Sequence, residues 1–340
     1  MRKLELIPYW VWERRRDKML VTDLLRKVVV FVGHNGIRGE GDFCADGTGF
    51  MVFIEAHGFL FAYVVTAKHV IDQATGPEGK RDVLLRINSK AGGIEYLPTK
   101  SAKWQLHPDH VEEGRKRKYI DIAVYGLLNY REWAKIDLEK YDFTYLKEEE
   151  FCTDETIKKY SIGIGDEVAI PGLFLSHLGT TQNVPIIRTG NIAAMRSEPV
   201  PTSYGPMDAY LVEMRSVGGI SGSPVLTHMA IRPKVMLPES PNFERIEQAP
   251  KTHYLLGLVH GHYTITTQDE WVFKTDKMVG DINAGIAIVV PASQIMDVIL
   301  KSPLFIEDYE MAKAYRANAD RSANSVPDSA PTTVSSTEAA

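Results

Sequence analysis

The feature that most constrains this chain is a succession of short apolar runs, rich in Val, Phe, Tyr and Ile and broken by Gly, Pro and Asn. "KVVVFVG" (27–33), "GTGFMVFIEA" (47–56), "GFLFAYVVTA" (58–67), "DVLLRIN" (82–88) and "DIAVYGLL" (121–128) form a first group. "DEVAIPGLF" (166–174), "PIIRTGNIAAM" (185–195), "AYLVEMR" (209–215), "SPVLTHM" (223–229), "YLLGLVHGHYTI" (254–265) and "GIAIVVP" (285–291) form a second. Runs of this length and composition predict strands. The first two long runs meet near His57–Gly58 and predict a hairpin. The expected fold is all-β, with two six-stranded antiparallel barrels and a functional cleft between them. "ASQIMDVILK" (292–301) has apolar residues at helical spacing, Ile295, Val298 and Ile299, and predicts a C-terminal helix.

The expected organisation is an N-terminal extension (1–26), a first barrel (27–130), a charged linker with some helix (131–160) and a second barrel with its helix (161–301). A Pro- and charge-rich surface loop is expected at 230–252. The last stretch, 316–340, is Ala, Ser, Thr, Pro and Asp almost without large apolar residues, and is expected to be disordered.

Charge and composition exclude several classes. Hydrophobic residues make up 44% and charged residues 24%, values of an ordinary globular chain. The formal net charge of −5 does not favour nucleic acid or an anionic membrane as partner. No run of about 18 apolar residues predicts a membrane span. The N-terminal "MRKLELIPYWVWERRRDK" is too interrupted by Glu5, Pro8 and charge to be a secretory leader. Cys44 and Cys152 are the two cysteines, which suits a reduced, cytoplasmic protein. The short basic run "GRKRKY" (114–119) reads as a solvated loop, and "GIRGEG" (36–41) lacks the strand–helix setting of a phosphate loop.

The chemistry centres on "GGISGSPV" (218–225). A serine hydroxyl is a poor nucleophile unless a general base lies within hydrogen-bond reach and an acid orients that base. The glycines permit a tight turn with inward N–H groups, and those of Gly219 and Ser221 are the natural donors to an oxyanion. Ser221 and Ser223 are both candidates on composition. The base candidate is His69 in "VVTAKHVID", at the end of a hydrophobic strand. The acid candidate is Asp121 in "YIDIAVYGL", where a carboxylate entering a buried strand needs partners. Taken singly, each has a plain alternative as a loop histidine, a strand-start aspartate or a Gly-Ser turn. Together they stand in the order His, Asp, Ser, with acid and base from the first half and nucleophile from the second.

In these motifs the chain resembles the trypsin-like serine peptidases. "TAKHV" is similar to the family's Thr-Ala-Ala-His, "DIAV" to its Asp-Ile-Ala-Leu/Val, "GISGSP" to its Gly-Asp-Ser-Gly-Gly-Pro, and "GTGF" (47–50) to its Gly-Ser/Thr-Gly-Phe. The resemblance runs from about 27 to 300 and implies acyl transfer by His69, Asp121 and Ser221, with no metal and no cofactor. It favours Ser221 over Ser223. It departs at Ile220, where activated digestive members carry the Asp that pairs with a new N-terminus, and at Val70, where many have a disulfide cysteine. Both departures resemble bacterial and intracellular members.

The same resemblance places Arg215 at the base of a primary pocket and "LVHGH" (258–262) along its wall, with His260 and His262 as lining residues. A cation at Arg215 would favour an acidic substrate side chain. His260 and His262 could also suggest a metal pair, but no third ligand of fitting spacing is apparent. The expected partner is a polypeptide substrate. The alternative is a catalytically silent or partner-gated protein of the same fold, with its regulatory partner encoded elsewhere.

Overall fold

The computed structural model describes residues 25–36, 42–111, 118–127, 137–214, 218–228, 253–265 and 282–324. Each predicted strand appears within a few residues of its sequence limits. The first half contains β1 (Val29–Asn35), β2 (Phe43–Ala56), β3 (Phe59–Thr66), β4 (Val83–Asn88), β5 (Ile94–Thr99), β6 (Gln105–Leu106), β7 (Ala123–Gly126) and β8 (Leu146–Lys147). The second contains β9 (Glu167–Gly172), β10 (Ile186–Ala194), β11 (Val200–Thr202), β12 (Gly205–Met207), β13 (Tyr210–Glu213), β14 (Pro224–His228), β15 (His253–Ile265) and β16 (Ile282–Pro291). Four α-helices accompany them among the described residues: α1 (Lys68–Thr75), α2 (Asp154–Tyr160), α3 (Ala292–Lys301) and α4 (Pro303–Asn324).

The second half closes into a six-stranded barrel in the order β10-β13-β16-β15-β14-β9. The first half does not. Its eight strands form a sheet in the order β5-β4-β1-β2-β3-β7-β6, with β8 paired in parallel to β2. Of the two expected six-stranded barrels, one is present and the second is not shown among the described residues. The sheet's two edges, β5 and β6, are not bonded to each other. β6 has two residues, and β5 carries Pro98, which has no N–H to donate.

His57 and Gly58 make the tight turn of the β2–β3 hairpin, both with positive φ (55° and 82°), the backbone that two-residue hairpins require. β2 and β3 are buried along most of their length on both faces. That explains why they read as continuous apolar runs rather than as an alternation. Phe50, Phe61 and Tyr63 share one buried face of the sheet, where Phe61 meets Phe305 of α4 edge-on at 5.9 Å between ring centroids, and Phe53 is buried on the other face. Each such side chain contributes about 1.5–3 kcal/mol by leaving water.

Two segments differ from the sequence reading. Residues 137–151, expected within a linker with some helix, are part of the first core: Tyr141, Phe143 and Tyr145 are all buried, and Tyr145 stacks on Phe53 at 4.0 Å. The helix α4 runs on to Asn324, into the stretch expected to be disordered. Its alanines are strong helix formers even where nothing covers them. Residues 1–24, the 230–252 loop, most of the basic run at 114–119 and the tail beyond 324 lie outside the described residues. No described helix is long and apolar enough to cross a membrane. Cys44 is exposed, Cys152 is buried, and both are free. Burial pushes the Cys152 thiol up to about 12.

Candidate active site

Asp121 is the centre of the site. It precedes β7, its flanking Ile120 and Ile122 are core residues, and its own side chain is 0% exposed. A carboxylate there is stable only with donors around it, and it has four. His69 donates its backbone N–H to Oδ1 at 2.9 Å, and its Nδ1 bonds Oδ2 at 2.7 Å. Tyr119 donates its hydroxyl to Oδ1 at 3.3 Å. The Nδ1 of His260 makes a further short bond to Oδ2. Burial alone would raise the carboxyl pKa. The hydrogen bonds from His260 and His69, with the charges of those rings, outweigh it and hold the group well below the usual carboxylate range. The carboxylate is therefore ionised, and an ionised carboxylate accepts only, so both imidazoles present Nδ1–H to it. Burial and the Asp121 charge push the Tyr119 phenol far up, which keeps it a donor.

His69 is the second residue of α1. The helix opens at Ala67 without a side-chain cap, and Asp121 takes that role from the far side by accepting the His69 N–H. One carboxylate thus fixes both the backbone and the ring of His69. The ring is 25% exposed, with Nδ1 committed to Asp121.

The Gly218–Ser223 turn lies between β13 and β14. Gly219 and Gly222 have positive φ (97° and 80°). At Gly222 a Cβ would lie 2.1 Å from the Thr48 carbonyl oxygen and 2.3 Å from Thr66 Oγ1, so no side chain fits. Thr48 on β2 holds the turn from the first half. Its N–H donates to the Ser221 carbonyl and its hydroxyl to the Gly219 carbonyl, both at 2.9 Å. Thr48 Oγ1 also accepts from the Leu173 N–H at 2.9 Å. No acceptor is bonded to the N–H of Gly219 or Ser221 among the described residues. Ile220 points into the core of the second barrel and is buried there. The turn is anchored at that position by apolar packing, where the resemblance had pointed to the absence of an ion pair.

Ser221 is partly exposed and Ser223 is 0% exposed. The Ser223 hydroxyl faces Gly172, where a Cβ would come within 2.1 Å of it. Burial keeps the Ser223 hydroxyl away from solvent, whereas that of Ser221 is partly open. The Ser221 hydroxyl donates to the His260 carbonyl oxygen at 3.2 Å, and no hydrogen bond joins it to His69.

His260 has a place that sequence reasoning missed. It was expected on a pocket wall. Its carbonyl instead accepts from Ser221, while its ring turns to Asp121 and stands edge-on to His69 with centroids 5.5 Å apart. Tyr119 stacks on Tyr204 at 4.3 Å, and the ring of Tyr204 is 5.6 Å from that of His260. His262, two residues on, is exposed. A register shift in β15 between Val259 and Gly261 breaks the period of two that would have kept the two histidines alike. Arg215 lies outside the described residues.

Among the described residues one cluster offers metal-ligand chemistry, the same His69, Asp121 and His260, with ligand atoms within 4.8 Å of one another. His262, the other member of the pair considered from the sequence, is not part of it. Both Nδ1 atoms already bond Asp121, and an ion would have to replace those hydrogen bonds.

No protein-family model and no curated protein matches the sequence. Among solved structures, the chain is similar to the MamO protease domain from Magnetospirillum magneticum in its apo form. The TM-score is 0.45 and the identity 15%, over 81% of this chain and 97% of that one.

Proposed function

We propose that the chain is a serine endopeptidase of trypsin-like fold, with Ser221 as nucleophile, His69 as general base and Asp121 as its orienting acid. The single observation that carries this reading is the buried Asp121 carboxylate holding both the backbone and Nδ1 of His69. An imidazole committed at Nδ1 presents its Nε2 lone pair to the cleft, which is the tautomer a serine base needs. The unbonded N–H groups of Gly219 and Ser221 support their assignment as oxyanion donors.

In the reaction, the Ser221 hydroxyl leaves the His260 carbonyl by rotation about χ1 and hands its proton to His69 Nε2 as its oxygen attacks the peptide carbonyl. The oxyanion is held by Gly219 and Ser221, and Asp121 stabilises the imidazolium. His69 then protonates the leaving amine, and water releases the acyl group by the reverse sequence. No step requires a metal or cofactor.

The test is intact-mass and peptide mapping after fluorophosphonate treatment of wild type, Ser221→Ala and His69→Ala. One adduct on Ser221, lost in both variants, is expected. Absence of an adduct on folded wild-type protein would overturn the reading. The bond from Ser221 to the His260 carbonyl favours a second reading, a silent or partner-gated protein. In that case labelling appears only with a partner, or never.

A further inference from the structure

Arg188 is a half-buried cation whose Nη1 and Nη2 atoms have no counter-ion among the described residues. On β10, Ile187, Thr189 and Asn191 are exposed, while Arg188 shares the opposite face with Gly190 and Ile192. Ile192 belongs to the barrel core, and so does Ile170, the residue paired with Arg188 across the β9–β10 ladder. On its other side β9 pairs with β14 through Ala169–Leu226 and Val168–Thr227. One further step in that register sets Val225, another core residue, beside Ile170. Val225 follows Ser221 by four residues, and Ile220 is buried in the same core. Arg188 therefore enters the barrel at the end closed by the Gly218–Ser221 turn, where Gly218 and Gly219 contribute no side chains.

Nη1 and Nη2 of Arg188 are shielded from water and bonded to no acceptor among the described residues. Two other arginines are paired. Arg86 is bonded to the carbonyls of Leu178 and Gly179 and to the Asn183 side chain. Arg196 bonds the carboxylates of Asp154 and Asp208. Burial holds the Arg188 pKa below the usual arginine value, yet a guanidinium remains protonated at neutral pH. An unpaired buried charge is costly to keep, and a planar fork of donors matches a carboxylate bidentately.

We propose that Arg188 receives a substrate carboxylate, the side chain of a Glu or Asp next to the scissile bond. This rests on the peptidase reading and names its substrate class. It assigns to Arg188 the acid preference that the sequence had suggested for Arg215.

Binding can be read without turnover. Fluorescently labelled Ala-Ala-Pro-Glu-Ala-Ala and its Gln counterpart, both capped, are titrated by anisotropy into Ser221→Ala protein. The Glu peptide is expected to bind about tenfold more tightly, as for a charge-assisted bidentate pair against a neutral one. Adding Arg188→Gln should equalise the two, and Arg188→Lys should restore part of the difference. Circular dichroism melts of the Arg188 variants that are cooperative and no lower than wild type show that the fold is kept. Equal affinities for the two peptides, or a Glu preference that survives Arg188→Gln, overturns the proposal. Free glutarate should compete with the Glu peptide. If glutarate instead tightens peptide binding, the carboxylate belongs to a separate effector and the substrate assignment falls. Fluorophosphonate labelling of wild type reports on the peptidase reading independently. A Glu preference without labelling would keep the carboxylate site and remove the chemistry.

Discussion

His260 and Asp121 join the two halves of the molecule inside the site: an imidazole of the second barrel bonds the same carboxylate oxygen, Oδ2, that holds His69. His260 thus touches the proposed site twice, through its ring on Asp121 and through its carbonyl on the Ser221 hydroxyl.

Replacing His260 with Ala removes a donor from an ionised, fully buried carboxylate. Hydrogen bonds to charged groups are worth about 1.5–3 kcal/mol, so urea unfolding at pH 7 should show a loss of about 2 kcal/mol. The loss should shrink when the substitution is made in an Asp121→Asn background, because the two residues share the interaction. An additive double mutant would contradict the coupling.

Stability should also depend on acid through Asp121. Its carboxyl pKa is depressed in the folded protein. Its contribution is fully present above the unfolded value of about 4 and is lost as pH falls toward the folded value. Between about pH 5 and 2, urea midpoints of the wild type should fall more steeply than those of Asp121→Asn. Parallel slopes would show that other carboxylates dominate.

Thr48→Val keeps the shape of the side chain and removes its hydroxyl. The Leu173 N–H then loses its acceptor and the Gly219 carbonyl its donor. An unsatisfied buried polar group costs about 1–3 kcal/mol. The melting temperature should drop accordingly, and the fluorophosphonate rate should fall further than it does for a surface substitution of equal thermal cost, because Gly219 is no longer held.

Gly222→Ala and Gly58→Ala separate steric exclusion from backbone strain. Both glycines have φ near +80°, but a Cβ at Gly58 meets nothing within 4 Å, whereas at Gly222 it meets Thr48 and Thr66. Gly58→Ala should cost about 1 kcal/mol, the left-handed penalty. Gly222→Ala should cost several-fold more and prevent labelling of Ser221. Thermal melts of the two variants compare them directly.

Much of the fold could be read from the residues because β-branched and aromatic runs declare themselves as strands whichever faces they bury. The edges could not. β6 and β8 have two residues each, too few for any periodicity. The aromatic alternation of Tyr141, Phe143 and Tyr145 was a usable signal, hidden among the acidic and basic residues around it. His69, Asp121 and Ser221 stood out because each lies in a short motif at the end of an apolar run. His260 and Arg188 did not, because their roles depend on partners far away in the chain or on the lack of one. The register shift of β15, which parts His260 from His262, leaves no mark in composition.

The shared carboxylate also sets an order in time. Translation delivers Asp121 with His69 early, Ser221 a hundred residues later, and His260 after a further thirty-nine. A nascent chain still short of residue 260 holds every member of the proposed triad yet lacks both the second ring on Asp121 and the carbonyl that the Ser221 hydroxyl bonds. The hydrogen bonds that tie Asp121 and Ser221 to β15 are therefore the last of the site to form.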